Sequence, residues 1–224
     1  LGIPECMQRG LEPLAVVHYL ASLSGALPTK KIYATLDDMA QDFNPFALGR
    51  GNAVMSLEEL QQLSARYFRA GVLAEQLSRL DQLLPAADPW HSLDEALRED
   101  VLRGVRDTVS TLDELRGMLV FFAQPEIPYT SDVLHELRSG RAVLEIMEDA
   151  LPCDDAPRLT ADAVQQLLRH VSTTASVKGR ALYHPLRLAL TGTAAGPELA
   201  ALFTLLPVSW IRQRLRAPLA ILFP

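Results

Sequence analysis

The sequence predicts an all-α protein, and three observations carry that expectation. Leucine and alanine supply 68 of the 224 residues; both favour helices and neither suits a β-rich chain. Four segments read hydroxyl–Leu–acid–acid, the pattern of a helix start. The segments after them repeat apolar residues every three or four positions, and no alternating strand pattern of useful length occurs.

The four starts are Thr35–Asp38, Ser56–Glu59, Ser92–Glu95 and Thr111–Glu114. In each, the hydroxyl can accept from an otherwise unpaired N–H of the first turn, and the carboxylate can reach back. Leu57, Leu60, Leu63 and Tyr67 then share one helical face, as do Leu73, Leu77, Leu80 and Leu84. Val101, Leu102, Val105 and Val109 form a third face. Further amphipathic segments run over 132–150, 161–171 and 197–206. The apolar piece 182–190 contains Pro185, which predicts a break in any regular helix there. Pro28 and Asn44-Pro45 mark turns. Pro85–Pro89 reads as a linker, and Pro152–Pro157 as a second polar break with Asp154 and Asp155 as linker or N-cap residues. These breaks divide the chain into 1–85, 86–155 and 156–224. No repeat of 20–50 residues is present.

Composition excludes several classes. About half the residues (49%) are apolar, too many for a disordered chain. No apolar run reaches the ~18 residues of a membrane span. Cys6 and Cys153 cannot form a disulfide scaffold and have no CxxC spacing, so a cytoplasmic location is expected. There is no secretory leader, and the chain begins at Leu1 rather than Met: either its front was removed or it is a piece of something longer.

The net charge of −6 argues against a nucleic-acid partner until it is divided. Residues 173–224 carry Lys178, Arg180, Arg187, Arg212, Arg214 and Arg216 against Glu198 alone, a net of +5; residues 1–172 hold −11. An acidic body with a basic end is an asymmetry that points to polyanion contact. The competing reading makes Arg212, Arg214 and Arg216 the solvated face of a C-terminal helix. The acidic run Glu145–Asp149 is likewise read as a solvated face.

No catalytic centre or metal site is legible. His18, His91, His135, His170 and His184 are scattered, with none four residues from another. There is no nucleophile elbow, P-loop or dinucleotide fingerprint, and Gly49–Gly51 and Gly192–Gly196 read as plain turns.

One segment is more specific: Lys178-Gly-Arg-Ala-Leu-Tyr-His-Pro185-Leu-Arg187-Leu-Ala-Leu-Thr191-Gly192-Thr-Ala-Ala-Gly196-Pro197-Glu-Leu199. It resembles the C-terminal signature of bacterial glutamyl-tRNA synthetases, Lys-Gly followed by Pro-Leu-Arg-x-Ala-Leu-Thr-Gly and then Gly-Pro before a final helix. The start, Gly10-Leu-Glu-Pro13 through Gly25, is similar to that family's Gly-x-x-Pro segment, in a variant resembling enzymes of alphaproteobacterial type. Phe43–Phe46 and Ala53–Ser64 follow in order. Met55 and Ser56 stand where the family has Phe-Asp, and His18 and Ser64 where it has Asn, in a region that contacts the tRNA stem.

The resemblance implies the C-terminal half of a class I enzyme that joins glutamate to tRNA-Glu using ATP. The implied fold is a stem-contact helical domain (1–85) and a two-bundle anticodon-binding region (86–155 and 156–224). The HIGH and KMSKS signatures are not in these 224 residues, so the segment is expected to be non-catalytic, with ATP and magnesium belonging to a missing N-terminal catalytic domain. Implied anticodon contacts are His184, Arg187, Gly196 and Leu199, with Arg106 or Arg103 for the last base; Lys178 and Arg180 are the implied backbone contacts. A monomer binding tRNA-Glu, with tRNA-Gln an open question and no membrane partner, is the expectation. A stand-alone helical RNA-binding or interaction protein derived from such an enzyme, or a helical scaffold that has lost RNA binding, are the alternatives.

Overall fold

The computed structural model describes residues 2–49, 51, 53–153 and 158–223. In chain order the α-helices are α1 (Ile3–Gln8), α2 (Pro13–Leu23), α3 (Leu36–Asp42), α4 (Leu57–Ala70), α5 (Leu73–Leu83), α6 (Glu95–Val105), α7 (Leu112–Ala123), α8 (Ser131–Leu137), α9 (Arg141–Ala150), α10 (Ala161–Thr174), α11 (Arg180–Thr191), α12 (Leu199–Leu205) and α13 (Val208–Leu222). Short 3-10 turns lie at Pro45–Ala47, Pro89–Ser92, Arg106–Thr108 and Arg138–Gly140. No strand occurs among the described residues, so the all-α expectation holds. The predicted Asp154–Asp155 linker, Arg50 in the Gly49–Gly51 turn and the boundary at Leu1 lie outside the described residues.

Three of the four start signals act as read. Thr35 and Asp38 form a reciprocal capping box on α3, Ser56 accepts from the Glu59 N–H of α4, and Thr111 accepts from the Glu114 N–H of α7. The fourth is displaced. Ser92 donates to the Pro89 carbonyl within a 3-10 turn, and Asp94 accepts from the Leu97 N–H to start α6. Asp caps as well as Ser, and the turn at Pro89–Ser92 sinks the indole of Trp90 into the core.

Two compact units result. One comprises 1–85 and 106–117, the other 86–105 and 118–224. In the first, α2 packs on α4, and Leu60, Leu63 and Tyr67 bury the predicted face against Leu11, Ala15 and Tyr19. His18 is buried between them. Its Nε2 lies 2.8 Å from the Pro28 carbonyl, which can only accept, so Nε2 carries the proton. Nδ1 therefore accepts from the Tyr67 hydroxyl, whose oxygen accepts from the Tyr33 N–H. Ser64, also buried, accepts from the Glu12 N–H at 2.8 Å, at the start of α2.

In the second unit, α9 packs against α10, α11 and α13, α11 touches α8, α12 and α13, and α12 rests on α6 and α10. The break predicted at Pro185 is not there: α11 runs through it. The interruption falls on the partner segment, where 132–150 divides into α8, a 3-10 turn and α9. A Cβ at Gly140 would overlap the Pro185 ring. The helix thus tolerates a proline that removes one backbone bond because the ring is buried against a residue without a side chain. Ala181, whose carbonyl loses its helical donor, is exposed.

The expected solvated face of α13 is also corrected. Arg214 is 1% exposed. Its guanidinium donates to the carbonyls of Phe121, Gln124 and Pro125 at the end of α7, and to Leu190 in the last turn of α11. Those carbonyls have no helical N–H to meet, which is why a buried cation is stable there. Burial pulls Arg214 down to about 10, so it stays charged at neutral pH. Arg212 donates to the Glu148 carboxylate and to the carbonyls of Glu148, Leu151 and Pro152. Arg216, exposed, shares the Glu148 carboxylate. Glu148 is therefore an anchor for α13 rather than part of a free acidic face.

Two outcomes are expected. Arg214→Met should lower the unfolding free energy by about 3 kcal/mol or more in urea titration, because several buried carbonyls lose their donor; Arg216→Met should cost under about 1 kcal/mol. In the first unit, hydrogen bonds from Lys31 and then Tyr33 hold the Asp42 carboxyl below its ordinary range. A depressed carboxyl stabilises the fold above its unfolded pKa, and that contribution disappears as pH falls through the folded value. The Tm gap between the native chain and Asp42→Asn should be widest at neutral pH and should close in acid.

Candidate nucleic-acid interface

The segment 178–199 is built around α11. Before it, the Ser172 hydroxyl donates to the Val177 carbonyl and the Val177 N–H returns to the Ser172 carbonyl, fixing the turn out of α10. Gly179, at φ +56, is the N-cap residue, a left-handed backbone that glycine adopts without strain. The first turn of α11 has no side-chain cap and no acidic residue. At the other end, Gly192 caps the helix at φ +68, and its N–H donates to Leu188. The Thr191 hydroxyl is shared between the carbonyls of Arg187 and Thr193. Thr191 and Gly192 are thus a helix end, as the turn reading expected.

Lys178 and Arg180 are exposed at the start of α11, and among the described residues no carboxylate pairs with either. His184 is half-buried on the helix, with Nε2 2.7 Å from the Glu136 carboxylate. Arg187, one turn on, donates from Nη1 to the carbonyls of Gly196 and Pro197, at 3.3 and 2.6 Å. It closes the loop that follows α11; Nε and Nη2 have no acceptor among the described residues. Gly196 sits at φ +136 against the Phe121 ring. Leu199 starts α12 and is buried rather than presented as a shelf.

The two arginines for the last base fall in different units. Arg103 is exposed on α6, 3.9 Å from both Glu99 and Asp100. Arg106 belongs to the first unit, where its Nη1 lies 3.4 Å from the Gly71 carbonyl. The four departures also have a physical account. His18 and Ser64 are buried structural groups, Ser56 is the N-cap of α4, and of the four only Met55 is exposed.

Two features escaped the sequence. A groove of about 450 Å³ runs between α10 and α11, lined by Gln165, Arg169, Ser172, Lys178, Leu182 and Tyr183 among others. Its volume is within the ~300–1,000 Å³ of small-ligand sites. Tyr183 is 47% exposed beside buried Leu182 and Pro185. The i, i+3, i+7 spacing of Arg180, Tyr183 and Arg187 could have signalled it, since those positions share a stripe on a helix. Arg169, alone among acid-poor neighbours, carried no pattern.

A family model described as an anticodon binding domain matches residues 73–219. The chain belongs to the anticodon binding domain family. The whole of 178–199 and the α10–α11 groove lie inside the residues that define this membership. Similar curated proteins include "Glutamate--tRNA ligase 2" of Alkalilimnicola ehrlichii, 34% identical over 96% of this chain and 43% of that protein. "Glutamate--tRNA ligase 1" of Methylorubrum extorquens is 27% identical over 96% of this chain and 47% of that protein. The chain therefore spans less than half the length of these relatives. Among solved structures, a glutamate tRNA ligase from Elizabethkingia meningosepticum in complex with its amino acid has the same fold. Its TM-score is 0.77, at 14% identity, over 97% of this chain and 43% of that one.

Arg187→Ala should loosen 192–197 as well as any bound ligand. The expected loss is about 1–3 kcal/mol of stability, read by thermal melt, with faster amide hydrogen exchange confined to the loop.

Proposed function

We propose that this chain is the tRNA-binding half of a glutamate–tRNA ligase, selecting tRNA-Glu through its stem and anticodon. The observation that carries the reading is a coincidence on one helix. The residues most specific to the family surround α11, and Lys178 and Arg180 there are charged, exposed and unpaired with any described carboxylate. Unpaired bases can be read along their edges and faces, with phosphates held by Lys and Arg. Arg187 contributes by holding the 192–197 loop in place while leaving part of its fork open. His184 stands beside it, set by Glu136. Leu199 acts from within the core, by anchoring the start of α12.

Bond making then belongs to a catalytic domain bearing HIGH and KMSKS, where ATP and magnesium bind. This half works as a monomer in the cytoplasm. No helix among the described residues is long and apolar enough to cross a membrane.

The test is a gel shift or filter-binding series with tRNA-Glu and an unrelated tRNA. Tighter binding of tRNA-Glu is expected, with affinity falling as salt rises. Two or three phosphate contacts give a log–log slope of roughly −1.4 to −2.7, shallow beside a strongly basic protein, because most of the C-terminal arginines are engaged internally. Equal binding of both tRNAs, or none at low salt, overturns the reading.

A further inference from the structure

We infer that the groove between α10 and α11 is a nucleotide subsite in which Tyr183 stacks on a single-stranded base while Arg169 and Lys178 hold its phosphates. This rests on the reading of the chain as an RNA binder and adds Tyr183 and Arg169 to the residues that family resemblance implied.

Several independent features meet in the groove. Tyr183 presents an aromatic face at the surface while the residues on either side of it in the helix core, Leu182 and Leu186, are buried. A ring left in water without a partner is a platform that any base can use, since every base has a π-face. The polar rim comes from α10, where Gln165, Arg169 and Ser172 recur at helical spacing, and from Lys178 at the turn into α11. Among the described residues, no acid lines the groove. Arg169, among the described residues, reaches the Gln165 side-chain oxygen, at 3.5 Å, and no described carboxylate neutralises it or Lys178. A polyanion thus finds two available cations there and no repulsion. Leu168 and Leu182 supply an apolar floor. The reciprocal Ser172–Val177 bonds fix the turn that joins the two helices.

An acidic protein segment would meet the same charges but would not need the ring. The experiment therefore separates ring from charge. The 224-residue chain is titrated with tRNA-Glu, and with a tRNA-Glu anticodon stem-loop carrying 2-aminopurine in the anticodon. Tyr183→Ala is expected to weaken binding roughly ten-fold or more and to abolish the fluorescence quenching that the native chain produces. Tyr183→Phe is expected to keep both, within about two-fold. Arg169→Gln is expected to keep the quenching and to reduce the salt slope by ~0.7–0.9. Thermal melts should show no large change, since these side chains are exposed. Binding by the native chain with Tyr183→Ala indistinguishable from it overturns this inference and leaves the tRNA-binding reading intact. A loss in Tyr183→Phe equal to that in Tyr183→Ala assigns the effect to the hydroxyl and overturns stacking. Failure of the native chain to bind tRNA-Glu overturns the functional reading, and the subsite with it.

Discussion

One guanidinium holds the C-terminal unit in register. Arg214 gathers the carbonyl ends of α7 and α11 into one buried cluster. The Tyr129 hydroxyl, shared between the Ala189 and Arg214 carbonyls, closes the same cluster from another side. Helix ends are where backbone acceptors go unmet, and burying two of them together would be prohibitive without a donor of this shape. Lysine is a poor replacement, since its three donors sit on one nitrogen and cannot match the four carbonyls that the wider guanidinium fork reaches. The placement of α11, and so of every candidate RNA contact on it, depends on that arrangement.

The basic end is thereby divided. Arg214 and Arg212 serve the backbone of other helices, Arg216 pairs with Glu148, and Arg187 closes its own loop. Lys178 and Arg180 remain for a ligand, joined by Arg169 from outside the stretch that charge counting singled out. This makes chemical sense for a binding surface of limited charge: non-specific attraction stays weak, and discrimination falls to stacking and to base edges. The same economy appears in the first unit. His18 and Ser64, where the family has Asn, are fully engaged by Pro28, Tyr67 and Glu12, so those substitutions alter the interior rather than an RNA-facing surface.

Much of the fold was legible because its signals are local. Capping hydroxyls at Thr35, Ser56 and Thr111 and the three-four rhythm of Leu60, Leu63 and Tyr67 act within a few residues of where they are read. Pro185 misled for the opposite reason. Its local penalty is real, yet the helix continues because Gly140, distant in sequence, makes room for the ring. Ser92 misled by a smaller margin: burying Trp90 moved the helix start two residues, to Asp94. The arginines of α13 were read by their charge, which cannot tell a side chain facing water from one facing a helix end.

The sequence by itself determined the helical class, most helix starts and the segment whose ordered motif resembles the family to which the chain belongs. Each follows from composition, short-range hydrogen bonding or an ordered motif. Tertiary structure decided which charges are free. A guanidinium's role is set by the acceptors around it, and for Arg212 and Arg214 those acceptors come from residues 24 to 93 positions away. It also decided that Tyr183 and Arg169 share a groove, because the turn between α10 and α11, fixed by the Ser172–Val177 bonds, sets a neutral ring and an unpaired cation on one surface.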